Sequence, residues 1–234
     1  MDAPTLQTTF QDLATAHVAD ACLRLGIAVR CTPPALRPAW SGIHVAGRAR
    51  PVRHVGSVDV FLEALGHAEP GDVLVVDNEG RTDEACVGDL VALEVARAGL
   101  VGIVIWGLHR DSAQLRDIAL PVVSLGACPN GPERLDPQAA DALAWACCGP
   151  HIVTADDVVL ADDDGAVFVP LDGAAEVAVV AARIRDTERH QAALMEGGTT
   201  LREQTRFDDY LAARERDGVT FRQHLRSLDA AIEE

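Results

Sequence analysis

Apolar residues recur at nearly helical spacing from Gln11 to Leu25, at Leu13, Ala16, Val18, Ala21, Cys22 and Leu25, and Gly26 follows as a stop, so this stretch predicts an N-terminal helix. The proline-rich stretch from Cys31 to Gly42 reads as a connector, and Ile43 to Val55 as a strand broken at Pro51. After a turn at Pro70-Gly71-Asp72 come two unbroken apolar strands, Val73 to Val76 and Leu100 to Trp106, separated by a helix from about Asp89 to Ala98 that stops at Gly99. A short helix through Leu115 leads to a third strand in Pro121 to Leu125, and strands alternating with helices predict an α/β architecture. His151 to Pro170 reads as strands paired about the turn Asp162-Asp163-Asp164-Gly165, and residues 172–195 as a long helix with one apolar stripe. The tail after Gly197 is charged, with only Phe207, Tyr210, Leu211, Phe221 and Leu225 as scattered apolar positions. A single domain over residues 1–234 is expected, with 198–234 as an extension that packs on a neighbouring subunit.

Composition narrows the core. Hydrophobic residues make up 48% of the 234 positions but aromatics only 4%, so the interior must be built from Ala, Val, Leu and Ile, which suits layered sheets and helices. The net charge of −16 repels phosphate backbones and anionic membranes, so neither nucleic acid nor membrane is an expected partner. An anionic substrate would need local Arg and backbone N–H donors to reverse that field. No stretch approaches the roughly 20 apolar residues of a membrane span, and the N-terminus lacks a basic region followed by an apolar one, so a cytoplasmic location is expected. The six cysteines (Cys22, Cys31, Cys86, Cys128, Cys147, Cys148) form no C-x-x-C pair and read as reduced structural thiols.

Two loops carry candidate chemistry. After the strand ending at Trp106, Arg110 and Asp111 stand side by side where α/β folds commonly bind ligands. Arg110 suits a carboxylate or a developing enolate oxygen, and Asp111 is a hard oxygen ligand of the kind Mg²⁺ or Mn²⁺ accepts. The plainer alternative makes Asp111 the cap of the helix it opens, in a capping box with Gln114, and Arg110 a surface ion-pair partner. In the second loop, Gly88 and Asp89 open a helix; Gly88 lets a ligand carboxylate approach, the N–H groups of Leu90 and Val91 can receive it, and Asp89 can face a metal or its water shell. The plainer alternative makes Asp89 a favourable acid at a helix start and nothing more.

Twenty residues separate Asp89 from Arg110, and Asp111 follows directly. This Asp, twenty residues, Arg-Asp pattern resembles the signature of the class II pyruvate aldolases that cleave 4-hydroxy-4-methyl-2-oxoglutarate and 4-carboxy-4-hydroxy-2-oxoadipate. The stretches Pro70-Gly71-Asp72-Val73, Gly88-Asp89-Leu90-Val91-Ala92 and Asp162-Asp163-Asp164-Gly165-Ala166-Val167 resemble the wider RraA-like superfamily, which includes the regulator of ribonuclease activity A, and the likeness covers roughly residues 10 to 200. The resemblance implies a layered β/β/α sandwich of the swivelling-domain kind, assembled as a trimer or a dimer of trimers with sites between subunits. It implies that Asp111 coordinates a divalent metal, Mg²⁺ or Mn²⁺, with Asp89 assisting through metal-bound water. Arg110 and the backbone from Gly88 to Val91 would hold a small 2-oxo acid. The implied reaction is retro-aldol cleavage of a 4-hydroxy-2-oxo acid to pyruvate, with oxaloacetate decarboxylation following from the same enolate stabilisation. The alternative is a non-catalytic regulator that binds a protein partner; such regulators typically lack the acid found here at Asp89.

The chain departs from the family pattern at Trp106 and His109, either of which would reshape the pocket, and His109 reads as an added acid/base group or as a bystander. The family also brings an acid from the neighbouring subunit, for which Glu188 and Glu196 are candidates. His17 and Asp20 share a helix face and read as solvated polarity or as neighbours of the site. The acids Asp162 to Asp164 read as a hairpin turn rather than a Ca²⁺ loop, and His44, His54, His67 and His151 show no metal-ligand spacing.

Overall fold

The computed structural model of the chain describes residues 1–228. Two helices open it, α1 (Ala3–Phe10) and α2 (Thr15–Leu25). Only the second was legible in the periodicity. Asp162 accepts hydrogen bonds from the backbone N–H and the hydroxyl of Thr15, at 2.7 Å each, and so anchors the start of α2. Gly26 ends that helix with φ +69°.

The strands are β1 (Arg30–Cys31), β2 (Arg37–Pro38), β3 (Val45–Arg53), β4 (Val73–Asp77), β5 (Ala85–Val87), β6 (Gly102–Trp106), β7 (Leu108–His109), β8 (Val122–Ser124), β9 (Trp145–Cys148), β10 (His151–Thr154), β11 (Asp157–Asp162) and β12 (Gly165–Pro170). Helices α3 (Asp59–Gly66), α4 (Asp89–Arg97) and α5 (Ser112–Ile118) connect the parallel strands, and α6 (Ala174–Glu196), α7 (Leu201–Gln204), α8 (Phe207–Asp217) and α9 (Phe221–Ser227) follow the last strand. Eight strands form one sheet in the order β1-β12-β11-β3-β4-β6-β8-β2. The run β3-β4-β6-β8 is parallel, and the two flanks are antiparallel.

Alternation along the strands sorts the core into layers. Leu74 and Val76, with Ile103 and Ile105, face α3, α4 and α5. Val158 and Leu160, with Val167 and Val169, face α1, α2 and α6. The residues between them, Val73, Val75, Val104, Val159, Ala161 and Phe168, meet in a third cluster where the two halves of the sheet curl toward each other and the β9-β10 hairpin closes the gap. The architecture is the expected α/β sandwich with apolar strands buried on both faces, an N-terminal helical region and a C-terminal helical region.

Two expectations about strands need correction. β3 runs unbroken through Pro51, which lies opposite Val75 of β4. The N–H of Arg53, two residues on and so on the same side of the strand, bonds the carbonyl of Ala142 rather than β4, and pairing with β11 ends at Arg48. The missing proline N–H therefore faces a side where no ladder bond is lost. His151 to Thr154 does not join the Asp162 turn hairpin but pairs with Trp145 to Cys148.

The tail helices form a small cluster of their own, in which Tyr210 lies between Phe207 and Phe221 with tilted rings and centroids 5.4 and 4.9 Å away, and His224 Nε2 donates to the Thr205 carbonyl at 2.8 Å. The last six residues of the expected extension, 229–234, lie outside the described residues. Among the described residues no helix is long and apolar enough to cross a membrane.

Candidate functional site

Parallel strands β3, β4 and β6 are in register at their ends, Arg53 opposite Asp77 and Asp77 opposite Trp106. Their carboxyl ends therefore share one edge, where α/β sheets present ligand sites. Beyond that edge a second, smaller ladder forms. β5 pairs in parallel with β7, Val87 opposite His109, and the Arg110 N–H bonds the Val87 carbonyl at 2.9 Å. This register sets Gly88 and Asp89 beside Arg110 and Asp111, because α4, β6 and β7 between them return the chain to the same edge.

Asp111 stands at the N-cap position of α5 with φ +60°, a conformation that Asp tolerates better than most residues. Its side chain caps nothing in its own helix. Instead Oδ2 turns across to α4, accepting the Asp89 N–H at 3.3 Å and lying 3.4 Å from Arg110 Nε. Gly88 is needed for this approach: a Cβ there would sit inside 3.0 Å of Asp111 Oδ2 and 3.1 Å from Arg110 Nε. The Arg110 guanidinium runs along Gly131, whose Cβ would meet Nη1 at 2.8 Å. Asp89 folds its carboxylate back over the helix start, where Oδ1 accepts the Leu90 N–H at 2.8 Å. A ligand carboxylate seeking that amide must displace Asp89.

These residues border a cavity of about 320 Å³ lined by Gly88, Asp89, Leu90, Val91 and Arg110 together with His54, Phe61 and Cys86. The volume suits a small ligand. Asp111 is not itself in the lining but stands against Gly88 at its margin, with its side chain 35% exposed. The donor set fits a hard dication: one half-open carboxylate in a cradle that only glycine leaves free matches Mg²⁺ or Mn²⁺, which keep several waters. It does not fit a zinc cage, since among the described residues no group of three or more His, Cys, Asp or Glu can hold an ion.

The structure places the remaining candidates elsewhere. His109 is buried, with Nδ1 2.8 Å from Ser124 Oγ and Nε2 3.1 Å from Ser112 Oγ. It ties β8 to α5 and so steadies the Arg110-Asp111 loop, and burial, with Arg116 nearby, holds its pKa below the ordinary value. Trp106 packs against Gly80 rather than into the cavity. His17 bridges Ala14 N and Glu188 Oε2, at 3.0 and 3.1 Å, as a strap between α2 and α6, and Asp20 is exposed. Glu196 ends α6 on the surface. Asp162 and Asp163 are engaged by Thr15 and Gly42 in the hairpin turn. The cysteines are free; burial pushes the Cys148 thiol up to about 12 and Cys86 higher still, which removes both as nucleophiles.

Sequence reasoning missed His54 in the cavity lining and the residues that hold it. His54 follows β3, and Asn78 follows β4. His54 Nδ1 lies 2.9 Å from Asn78 Oδ1, which also accepts from Arg134 Nη2 at 2.9 Å, and Arg134 pairs with the buried Glu84 at 3.0 Å. The available signal was position: each follows the last residue of a parallel strand, as catalytic and binding groups at such edges do.

A family model described as RraA-like, Aldolase/RraA, matches residues 15–168. A Shewanella oneidensis protein named "Putative 4-hydroxy-4-methyl-2-oxoglutarate aldolase" is 40% identical over 74 residues, which is 32% of this chain and 45% of that protein, so the match spans under half of the relative's length. Among solved structures, Streptomyces coelicolor RraAS2, described as an unusual member of the RNase ES inhibitor RraA protein family, superposes with a TM-score of 0.69 at 30% identity, covering 79% of this chain and 94% of its own. An uncharacterized protein from Pseudomonas syringae pv. tomato superposes with a TM-score of 0.75 at 25% identity, over 86% of this chain and 97% of its own. With the family model spanning well over half of its length, the chain belongs to the RraA-like family, Aldolase/RraA.

Proposed function

We propose that the protein is a divalent-metal-dependent carbon–carbon lyase that cleaves a 4-hydroxy-2-oxo acid by a retro-aldol reaction to release pyruvate, and that the same site decarboxylates oxaloacetate. The observation that carries this reading is the Asp111 carboxylate, which forgoes its own helix cap to stand beside Arg110 and the Gly88-Asp89 helix start at the margin of a small cavity. Asp111 would hold Mg²⁺ or Mn²⁺, and the ion when bound supplies Lewis-acid polarisation of the keto oxygen. Arg110 grips the 2-oxo acid and stabilises the enolate oxygen as the C3–C4 bond breaks. The Leu90 and Val91 amides receive the carboxylate once the Asp89 side chain swings off the Leu90 N–H, which frees Asp89 to face the metal's water shell. The aldolase name carried by the Shewanella oneidensis relative supports the reaction class.

A chain of this design completes its site at a subunit boundary, so the working form is a trimer or a dimer of trimers, with the helices after Gly197 packed on a neighbouring copy. The competing reading, a regulator that docks on a protein, is favoured by the likeness to RraAS2 and by the net charge of −16. Pyruvate release assayed over a panel of 4-hydroxy-2-oxo acids, with and without Mg²⁺ or Mn²⁺, separates them: metal-dependent turnover supports the lyase, and none with any acid supports the regulator.

A further inference from the structure

The cavity that Arg110 and Gly88 line is also lined by His54, which the lyase reading leaves without a task. His54 is 2% exposed and stacked on Phe61 of α3, with ring centroids 5.1 Å apart and planes 12° from parallel. Its tautomer follows from its neighbours. Arg134 has only donors, so the Asn78 atom 2.9 Å from Nη2 must be the carbonyl oxygen. The same oxygen faces His54 Nδ1 at 2.9 Å, so Nδ1 carries the hydrogen. That leaves Nε2 as the nitrogen with a free lone pair on a ring that lines the cavity.

The holder of this tautomer is rigid. Asn78 is fully buried, Glu84 is 3% exposed, and Arg134 joins them through Nε to Glu84 Oε1 at 3.0 Å and through Nη2 to the His54 carbonyl at 3.4 Å. A Cβ at Gly56, where φ is +107°, would collide with the Arg134 carbonyl, so the His54 loop and the Arg134 loop fit against each other with no room for a side chain.

We propose that His54 is a further catalytic residue of this site, acting through Nε2 as the general base and acid of the carbon–carbon cleavage. The inference rests on the lyase reading. Nε2 takes the proton of the substrate's 4-hydroxyl; the O–H electrons form the new C4 carbonyl, the C3–C4 bond breaks, and its electrons pass to the C2–C3 enolate held by Arg110. The imidazolium then returns that proton to C3, giving the pyruvate methyl group and the neutral ring, with no net gain of protons or electrons. The groups facing the ring suit both halves. Burial and Arg134 favour the neutral form, while Asn78, Glu84 and the Gly56 carbonyl favour the protonated one. Asp89 and Arg110 are the other charged groups that line the same cavity.

The test compares wild type with H54Q and H54F, the latter keeping the stack on Phe61. Expected are a fall in kcat of about 10²- to 10⁴-fold with KM little changed, and loss of the acidic limb of the kcat/KM profile. Exchange of the pyruvate methyl protons with deuterated solvent falls in parallel. In wild type, oxalate, a planar mimic of the pyruvate enolate, shifts the His54 Nε2 resonance and leaves Nδ1 protonated. Variants that retain kcat within about threefold and the same acidic limb overturn His54 while leaving the lyase standing. If both variants fail to fold, the wild-type resonances decide: an Nε2 untouched by oxalate overturns the proposal. A wild type that releases no pyruvate from any acid overturns the lyase reading and this inference with it.

Discussion

Asp111 Oδ2 accepts the backbone N–H of Asp89 at 3.3 Å, joining two helix starts that lie 22 residues apart in sequence. The contact is built by the β5-β7 register and permitted by Gly88, and it fixes the direction in which the Asp111 carboxylate faces.

Gly88→Ala isolates that relationship. Gly88 has φ −124°, which alanine adopts freely, so any effect is steric rather than a backbone penalty. The added methyl must push aside Asp111 Oδ2 and Arg110 Nε together. Activity is expected to fall at least about 10²-fold, since a displacement of about 1 Å at a reacting centre carries that cost, while the midpoint of thermal unfolding moves by only a few degrees. Steady-state kinetics and a melting curve on the same preparation check both halves.

The clamp behind the cavity makes a stability prediction. Replacing Arg134 by Met leaves the Glu84 carboxylate, which is 3% exposed, with Arg81 Nε at 3.4 Å as its remaining ion pair, and is expected to cost about 3 kcal/mol in denaturant unfolding. The double variant Arg134→Met with Glu84→Leu removes that buried charge and should recover much of that loss. Equal losses in the single and double variants would contradict a desolvated pair.

Stability should also depend on pH in a set direction. His54 and His109 both have folded pKa values below the ordinary 6.5, burial being the largest cause in each. In the window just beneath 6.5 the unfolded chain binds protons that the folded chain refuses, so stability is full above that value and falls as pH drops through the window. His109→Gln removes one contributor, and the slope of unfolding free energy against pH from 7.5 to 5 should flatten. An unchanged slope would remove His109 from the account.

The tail supplies a prediction about assembly. Light scattering coupled to size exclusion is expected to give a trimer or hexamer for the full chain and smaller species after deletion of residues 198–234. A monomeric full chain would contradict packing of the tail on a neighbour.

The parts of the fold written in local periodicity were legible. Helix α2, with apolar residues at Val18, Ala21 and Cys22, and strands β4 and β6, with unbroken apolar runs, follow from the chain itself. Helix α1 and the β9-β10 hairpin do not, because α1 buries Leu6 and Phe10 among its described positions, and β9 alternates buried with half-buried positions inside a run that reads as uniformly apolar. The pairing of the two site loops was legible for the same reason: α4, β6 and β7 bring Asp89 back to Arg110 and Asp111. The placing of His54 depends on the β3-β4 register and on Arg134, 80 positions from His54, and no spacing rule links residues so far apart. Trp106 and His109 were expected to reshape the pocket because they adjoin the Arg-Asp pair in sequence, yet strand alternation turns both away from it.

In the proposed reaction a cation held by Asp111 drives cleavage of a 2-oxo acid. Its most direct test is the rate of pyruvate release by wild type and Asp111→Ala from the best of the 4-hydroxy-2-oxo acids, in metal-depleted buffer and after addition of Mg²⁺ or Mn²⁺. The account predicts release that appears with the metal in wild type and stays absent in the folded alanine variant at every metal concentration; an alanine variant that releases pyruvate in metal-depleted buffer would contradict it.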